Sequence, residues 1–301
     1  MGNSFDTVKR AFEHRSPNRL PRGELWLGTD LLRKANLADN LEGHLALARR
    51  LGQDILCLPL SNDISMNRDL GYRYFSLKEF EEAASGMRDL FLVALMDGPF
   101  QRLAEKRGLM RILTRWKQER DDVAKECEKE QMEVNILIRK CLELSVDAVV
   151  IADDLAGERS TFFDPSDIQE IFSPFYTHAV FEIHSGHSYA LFHSCGNIMS
   201  LIPQLVSYQF DGLAAIQHQA NDLISLKEKY GSKLVLMAGI EAEVLGGEEI
   251  SLSGLKEYER IVHSLAPDSG FILCSSSGLY SGDFLERIRK LYRIADELVN
   301  S

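Results

Sequence analysis

Short, nearly continuous apolar runs alternate with longer amphipathic stretches along most of the chain. Runs that are apolar at almost every position are typical of parallel strands buried on both faces. The amphipathic stretches between them predict helices, so the pattern indicates repeated strand–helix–strand units. The runs that predict strands are residues 23–27, 54–60, 90–95, 147–152, 189–193, 212–216, 233–239 and 270–274.

Strands and helices in this alternation predict an α/β protein that forms a single (β/α)8 TIM barrel over residues 1–301. Residues 1–22 predict an N-terminal helical extension, which is a leading helix and a loop before the first strand. An open doubly wound sheet is the alternative fold. That fold would need a glycine-rich phosphate-binding turn after the first strand, and residues 23–32 do not supply one.

Polar side chains gather where the predicted strands end, while the opposite strand ends carry ordinary turn residues. The active site of such a barrel forms at the carboxyl ends of its strands, so these side chains are the candidate site. The consecutive aspartates 153 and 154 also fit a helix-capping or turn role. The candidates are Asp63, Asp97, Asp153, Asp154, His193, Cys195, Gln217, His218, Glu241 and Cys274, with Glu24 inside the first predicted strand.

His193, Cys195 and Cys274 form a pattern that predicts a metal site. A His-x-Cys pair with a distant cysteine does not suit a zinc finger, which closes its loop locally, but it suits a site assembled from separate strands. Three such ligands leave a fourth tetrahedral position open, as in catalytic zinc sites. Taken singly, a cysteine at a strand end or a lone histidine also has a purely structural interpretation.

Composition and charge restrict the partners and the compartment. The net charge of −11 and the pI of about 5.3 argue against binding to nucleic acid. No apolar run reaches the roughly 18 residues of a membrane span, so we expect no membrane partner. The polar N-terminus and the scattered cysteines favour reduced thiols in a cytoplasmic protein.

Several segments resemble the uroporphyrinogen decarboxylase superfamily. Within that superfamily the chain is similar to the zinc-dependent corrinoid methyltransferases, of which the methylcobamide:coenzyme M methyltransferases are the best-known kind. The resemblance covers nearly the whole chain and implies a (β/α)8 barrel. The segments that carry it are FDTVKRAFEHRSPNRLPRGELW (5–26), MDGPF (96–100), DAVVIADDLAG (147–157), FHSCGNIMSLIPQLVSYQFDGLAAIQ (192–217), LKEKYGSKLVLMAGIE (226–241) and GFILCSSSG (270–278).

The resemblance implies a function for the site. It implies Zn²⁺ on His193, Cys195 and Cys274, and transfer of a methyl group between a methylcobalamin-type corrinoid and a small thiol. A corrinoid protein would be the partner that presents the methyl group. The thiol would be activated as a zinc thiolate, because a thiol bound to zinc loses its proton. Candidate catalytic residues are Glu24, Asp63 and Asp153, and candidate substrate-binding residues are Asp154 and Gln217.

Two departures from related families affect this interpretation. Residues 21–32 lack the arginine-rich motif of the decarboxylase branch, which argues against metal-free tetrapyrrole decarboxylation. Gln217 stands where the related cobalamin-independent methionine synthases have a glutamate ligand, so the fourth zinc position is open to Glu24, Asp153 or water. Three alternatives remain: a metal-free tetrapyrrole decarboxylase, a methyltransferase that demethylates an oxygen- or nitrogen-methyl substrate onto a corrinoid protein, and a non-catalytic corrinoid- or metal-binding partner.

Overall fold

Seven parallel strands form one sheet in which each strand pairs with the next along the chain. The computed structural model describes residues 3–16, 18–62, 71–86, 89–247 and 249–300. Almost every strand position is buried, as expected for a parallel sheet covered on both faces. The strands are β1 Ile55–Pro59, β2 Phe91–Asp97, β3 Ala148–Ala152, β4 Tyr189–His193, β5 Gly212–Ile216, β6 Val235–Ile240 and β7 Phe271–Ser275.

The predicted single (β/α)8 TIM barrel is wrong, because the first predicted strand, residues 23–27, is not a strand. Arg22 and Leu27, at the borders of this segment, make isolated parallel bridges to residues 273 and 279. The amide of Asp54 donates to the carbonyl of Arg22, so both edges of the sheet reach the segment without forming a ladder. The apolar run arises from core packing of Leu25 and Trp26. The described residues therefore form an α/β fold with a seven-stranded parallel sheet.

Helices fill the connections between the strands. The helix α1 lies in the leading segment, and α5 to α7 occupy the long stretch after β2. A π-helical turn, Ile168–Phe172, joins α8 to α9. The helices are α1 Ser4–Phe12, α2 Thr29–Lys34, α3 Leu41–Leu51, α4 Leu77–Gly86, α5 Pro99–Arg107, α6 Leu109–Gln118, α7 Arg120–Leu142, α8 Pro165–Asp167, α9 Ser173–Ser185, α10 Ile202–Ser207, α11 Leu223–Tyr230, α12 Ala242–Leu245, α13 Leu252–Leu265 and α14 Phe284–Asn300.

Local sequence explains where these helices begin and end, and α3 is a clear case. The side chain of Asn40 accepts a hydrogen bond from the amide of Gly43, which satisfies one free N–H at the helix start. Gly52 ends the helix in the left-handed conformation, with φ of 66°. Arg49 and Arg50 lie in the last turn, where positive charge is favourable.

Strand alternation divides the core into two apolar clusters on opposite faces of the sheet. In β1, Leu56 and Leu58 belong to the cluster under the surrounding helices, while Ile55 and Cys57 belong to the second cluster. The helix α1 closes the amino end of this second cluster, since Phe12 stacks on Tyr189 with ring centroids 4.3 Å apart. Polar side chains therefore gather at the opposite end of the sheet, at the carboxyl ends of the strands.

No helix within the described ranges is both long enough and apolar enough to cross a lipid bilayer.

Candidate functional site

A cavity of about 230 Å³ lies at the carboxyl ends of the strands. Pockets for drug-sized ligands typically have volumes of about 300–1,000 Å³, so this cavity suits a smaller molecule. A larger cavity, of about 450 Å³, lies near the amino end of β7 and holds no cysteine among its described lining residues. The smaller cavity is lined by Trp26, Tyr72, Asp97, Gln101, Ala152, Asp154, His193, Cys195, Gln217, Ser276, Ser277 and Tyr280.

Asp154, His193 and Cys195 form a compact group of potential metal ligands in this cavity. One ligand atom from each lies within 4.8 Å of the other two. The Nε2 atom of His193 is 3.9 Å from the Sγ atom of Cys195 and 3.9 Å from Oδ1 of Asp154. Nitrogen, sulfur and carboxylate oxygen are the donor atoms that proteins use for zinc. The structure therefore brings together two of the three predicted metal ligands and a predicted substrate-binding residue.

The imidazole of His193 is held so that Nε2 faces this group. Its Nδ1 atom lies 2.8 Å from the carbonyl oxygen of Ala214, which can only accept, so Nδ1 carries the proton. The indole of Trp26 packs edge-on against the ring at 5.0 Å. The register of β5 against β6 shifts at this point, and Ala215 has φ of 52°. A hydrogen bond to the second ring nitrogen is the usual way that proteins orient a metal-binding histidine.

The loop after β4 positions Cys195 through its backbone. The amide of Cys195 donates to Oδ1 of Asp154 at 2.7 Å, and the amide of Gly196 donates to Oε1 of Gln217 at 2.8 Å. Gly196 has φ of 80°, and a Cβ atom there would lie 2.4 Å from the carbonyl oxygen of Gly157. Burial, and then the neighbouring Asp154, raise the pKa of the Cys195 thiol to about 12. Without a bound cation this cysteine is therefore a neutral thiol.

Cys274 and Glu24 lie together outside this ligand group. The Cys274 thiol is fully buried within β7, 3.9 Å from Oε2 of Glu24 and 3.2 Å from the carbonyl oxygen of Ser275. Glu24 also accepts hydrogen bonds from the amide of Ser275 and from the hydroxyl of Tyr292. Burial raises the pKa of Glu24 to about 7, against the opposing effect of these hydrogen bonds. The predicted metal role of Cys274 and the catalytic role of Glu24 stay predictions.

Asp153 faces the protein interior, whereas Asp154 faces the cavity. Oδ1 of Asp153 accepts from the amide of Gln101 at 2.7 Å, and Oδ2 accepts from the hydroxyl of Tyr176 at 2.6 Å. Gln101 is in the first turn of α5, whose N-cap residue Gly98 has no side chain to cap it. Burial raises the pKa of Asp153 to about 7, although both hydrogen bonds oppose that shift. Through these hydrogen bonds Asp153 joins the start of α5 to Tyr176, which is a structural role. Its catalytic role stays a prediction.

Asp63, the remaining predicted catalytic residue, lies outside the described residues. Gln217, predicted to bind substrate, lines the cavity and also holds the amide of Gly196. His218 and Glu241, the other candidates at the strand ends, contact each other, because the amide of His218 donates to Oε1 of Glu241. They are not among the residues that line the described cavity.

The sequence pattern does not indicate the aromatic part of the cavity, formed by Trp26, Tyr72 and Tyr280. It does indicate Asp97, which at its strand end fits either a site residue or an N-cap. The hydroxyl of Tyr74 donates to Oδ2 of Asp97 at 2.6 Å. Burial, and then the nearby Glu105, raise the pKa of Asp97. The position of Asp97 after an apolar run was a usable signal, whereas an aromatic residue within an apolar run gives none.

Comparison with known proteins shows what this fold resembles. No protein-family model matches the chain, and no curated protein matches it. The structure is similar to a methyltransferase from Methanosarcina mazei, with a TM-score of 0.76 and 14% identity over 99% of this chain and 100% of that chain. It is also similar to a xylose isomerase domain protein from Planctomyces limnophilus, with a TM-score of 0.54 and 10% identity over 86% of this chain and 93% of that one. For a sugar phosphate isomerase/epimerase from Parabacteroides distasonis, the TM-score is 0.52 and the identity 13%, over 91% and 95% of the two chains. At these identities the likeness establishes the fold.

Proposed function

We propose that this protein is a zinc-dependent methyltransferase that moves a methyl group between a methyl-corrinoid and a small thiol. The observation that carries the proposal is the group of Asp154, His193 and Cys195 in a small cavity at the carboxyl ends of the strands. The likeness of the fold to the methyltransferase from Methanosarcina mazei supports the same reaction class. The methyl-corrinoid would be carried by a partner corrinoid protein.

The side chains in the cavity fit a zinc ion. His193 presents a free Nε2 lone pair, because its Nδ1 proton is committed to Ala214. Cys195 supplies sulfur, and Asp154 supplies an oxygen close to both. Zinc bound there would lower the pKa of a coordinated thiol, so that the thiol is deprotonated at neutral pH. Asp154 and Cys274 are the two candidates for the third protein ligand.

Other groups of the chain serve the thiol rather than the ion. If Cys274 is the third ligand, the carboxylate of Asp154, which is 35% exposed and lies beside the cavity, is available to accept the proton that the incoming thiol releases. Gln217 fixes the loop that carries Cys195 by accepting from the amide of Gly196. The ring of Trp26, only 8% exposed, packs against His193 and limits the access of water.

We propose that the two substrates bind in different places, and the size of the cavity supports this. A volume of about 230 Å³ admits a small thiol, whereas a tetrapyrrole or a corrinoid is larger than the drug-sized ligands that fill pockets of up to about 1,000 Å³. The corrinoid would therefore meet the thiol from outside, presented at the mouth of the cavity. The same argument weighs against decarboxylation of a tetrapyrrole bound inside.

A product assay tests the proposed reaction and its direction. Zinc-loaded protein is incubated with methylcobalamin and a small thiol, and the S-methyl product is measured by mass spectrometry. In the expected reaction a sulfur–methyl bond forms, the cobalt–methyl bond breaks, and the electron pair stays on cobalt as cob(I)alamin. Absence of the S-methyl product, together with methylation of cob(I)alamin by a methoxy or methylamine compound, would establish the reverse-direction alternative instead.

Metal analysis of variants tests the ligands. Cys195→Ser should lose most of its zinc, whereas Cys127→Ser, at a fully buried core cysteine, should keep it. Asp154→Asn and Cys274→Ser then identify the third ligand, since the variant that removes a ligand loses affinity. Full zinc retention in Cys195→Ser would contradict the proposed centre.

A further inference from the structure

We infer that the small substrate of this cavity carries a cationic ammonium group, selected by Asp97 together with the aromatic side chains of Trp26, Tyr72 and Tyr280. The inference rests on the proposed function for the reaction that the substrate undergoes. It extends that function by naming the charge of the substrate. Its basis is the lining of the cavity, which combines aromatic side chains with carboxylates.

The three aromatic side chains form a continuous wall along the cavity. The ring centroids of Trp26 and Tyr72 are 6.2 Å apart, and those of Tyr72 and Tyr280 are 5.8 Å apart. The planes are tilted by 54° and 38°, so the rings do not stack face to face on one another. An organic cation within about 6 Å of such a ring centroid is attracted by the negative face of the ring, most strongly for tryptophan. A wall of this kind therefore favours an ammonium group over a neutral group of the same shape.

The charged side chains of the cavity have one sign. Asp97 and Asp154 line it, and no lysine or arginine is among its described lining residues. The charge of Arg102 acts on the pKa of Asp97, but the Nε atom of this arginine is 3.0 Å from a carboxylate oxygen of Glu130. That arginine is thus already engaged in an ion pair. In the proposed zinc-loaded site, Asp154 and the Cys195 thiolate would offset the two positive charges of the ion, which leaves Asp97 without a counter-charge among the described lining residues. An ammonium group beside Asp97 would favour its ionised form and pair with it, whereas a sulfonate or carboxylate would meet a like charge.

The phenols of the wall carry no positive charge at any pH, so they cannot balance an anion either. Burial, as the largest cause, raises the pKa of both Tyr72 and Tyr280, and nearby acids raise these pKa values further. Both side chains therefore remain neutral phenols at physiological pH. The side chain of Asp97 is held in place by the hydroxyl of Tyr74, which donates a hydrogen bond to its carboxylate. Its carboxylate is consequently a fixed feature of the cavity rather than a mobile surface group.

Three thiols that differ only in the terminal group test the charge preference. They are 2-aminoethanethiol, 2-mercaptoethanol and 2-mercaptoethanesulfonate, which are cationic, neutral and anionic at pH 7. We expect kcat/KM for methyl transfer from methylcobalamin to fall in that order, with about tenfold between the first two. In Asp97→Asn the ratio of the cationic to the neutral thiol should fall about fivefold. Comparing this ratio between variants cancels the intrinsic acidity of each thiol.

Matched variants separate selection from folding. Asparagine at position 97 keeps an oxygen that can accept from Tyr74, so the packing is conserved. Asp121→Asn removes a carboxylate whose side chain is 87% exposed, and it should leave the ratio unchanged. Tyr72→Leu removes one ring of the wall and should also lower the preference for the cation. A ratio in Asp97→Asn equal to that of the wild type, or preference of the wild type for the sulfonate, would overturn the inference.

Calorimetric binding distinguishes failure of this inference from failure of the proposed reaction. Choline and its neutral carbon analogue 3,3-dimethyl-1-butanol contain no thiol, so their binding does not depend on transfer to sulfur. Tighter binding of choline that weakens in Asp97→Asn supports the inference even if no thiol is methylated. Methylation of 2-aminoethanethiol identifies the cation as the methyl acceptor, whereas transfer of a methyl group from choline to cob(I)alamin identifies it as the donor. Equal binding of choline and its analogue would overturn the inference.

Discussion

The hydroxyl of Tyr176 offers a direct test of whether Asp153 is a structural residue. Tyr176 is fully buried, and its hydroxyl donates to Oδ2 of Asp153 at 2.6 Å. Its ring packs edge-on against Phe192, with centroids 5.6 Å apart. Tyr176→Phe keeps the ring and its packing and removes only the donor. The change therefore isolates one hydrogen bond to a buried carboxylate.

The expected loss of stability in Tyr176→Phe follows from the burial and from the charge of the Asp153 carboxylate. A hydrogen bond to a charged group contributes about 1.5–3 kcal/mol, against about 1 kcal/mol for a neutral pair. At pH 8, above the pKa of about 7 that burial gives Asp153, the carboxylate is mostly ionised. We therefore expect Tyr176→Phe to lower the free energy of unfolding by about 2 kcal/mol at that pH. In an Asp153→Asn background the same change should cost about 1 kcal/mol, because the acceptor is neutral.

Urea unfolding of the wild type, both single variants and the double variant measures this coupling as a double-mutant cycle. Equal m-values across the four proteins would show that the differences are changes in stability. A cost below about 0.5 kcal/mol for Tyr176→Phe would refute the structural role. If Asp153→Asn also lost turnover at unchanged stability, the catalytic role predicted from the sequence would be the correct one.

Three further predictions concern the loop, a surface pair and the metal. Gly196→Ala should lower both the melting temperature and the zinc retention, because its Cβ atom would lie 2.4 Å from a carbonyl oxygen. Gly52→Ala, which is also at positive φ but has no atom within 4 Å of the added Cβ, should lower the melting temperature less. The hydrogen bond to Asp211 raises the pKa of His184 above 6.5, so the stabilisation from this pair is complete below pH 6.5 and is lost as the pH rises through the folded-state pKa. His184→Asn should therefore lower the free energy of unfolding more at pH 6 than at pH 9. Equal losses at the two pH values would contradict this. A chelator should lower the melting temperature of the wild type but not that of Cys195→Ser, and equal effects on both would contradict a zinc ion bound at this cysteine.

The strand pattern was predictable because burial on both faces leaves a simple signature. Seven of the apolar runs coincide with strands, and the polar residues that follow them converge at one end of the sheet. That convergence brings Asp154, His193 and Cys195 together across β3 and β4. The His-x-Cys pair is a local feature, but no local feature joins Asp154 to it. Their proximity follows from the parallel order of the strands.

The prediction of a first strand over residues 23–27 was wrong because apolar character does not specify how a segment is paired. Leu25 and Trp26 are buried, but the segment that holds them makes isolated bridges instead of a ladder. The direction of the side chains at the end of β3 could not be predicted either. Successive side chains of a strand point to opposite faces, so only one of Asp153 and Asp154 could reach the cavity. Choosing between them required the point at which β3 ends, which composition does not give.

We propose that a thiol is activated at a metal held by His193 and Cys195, and a spectroscopic titration of the cobalt-substituted protein tests this activation. The protein is loaded with cobalt(II) in place of zinc and titrated with 2-mercaptoethanol, while the absorption spectrum is recorded. We expect a new sulfur-to-cobalt charge-transfer band that saturates with the thiol, with release of about one proton per thiol bound. The band should be absent in Cys195→Ser and retained in Cys127→Ser. If no thiol changed the spectrum of the fully cobalt-loaded wild type, activation of a thiol at this metal would be contradicted.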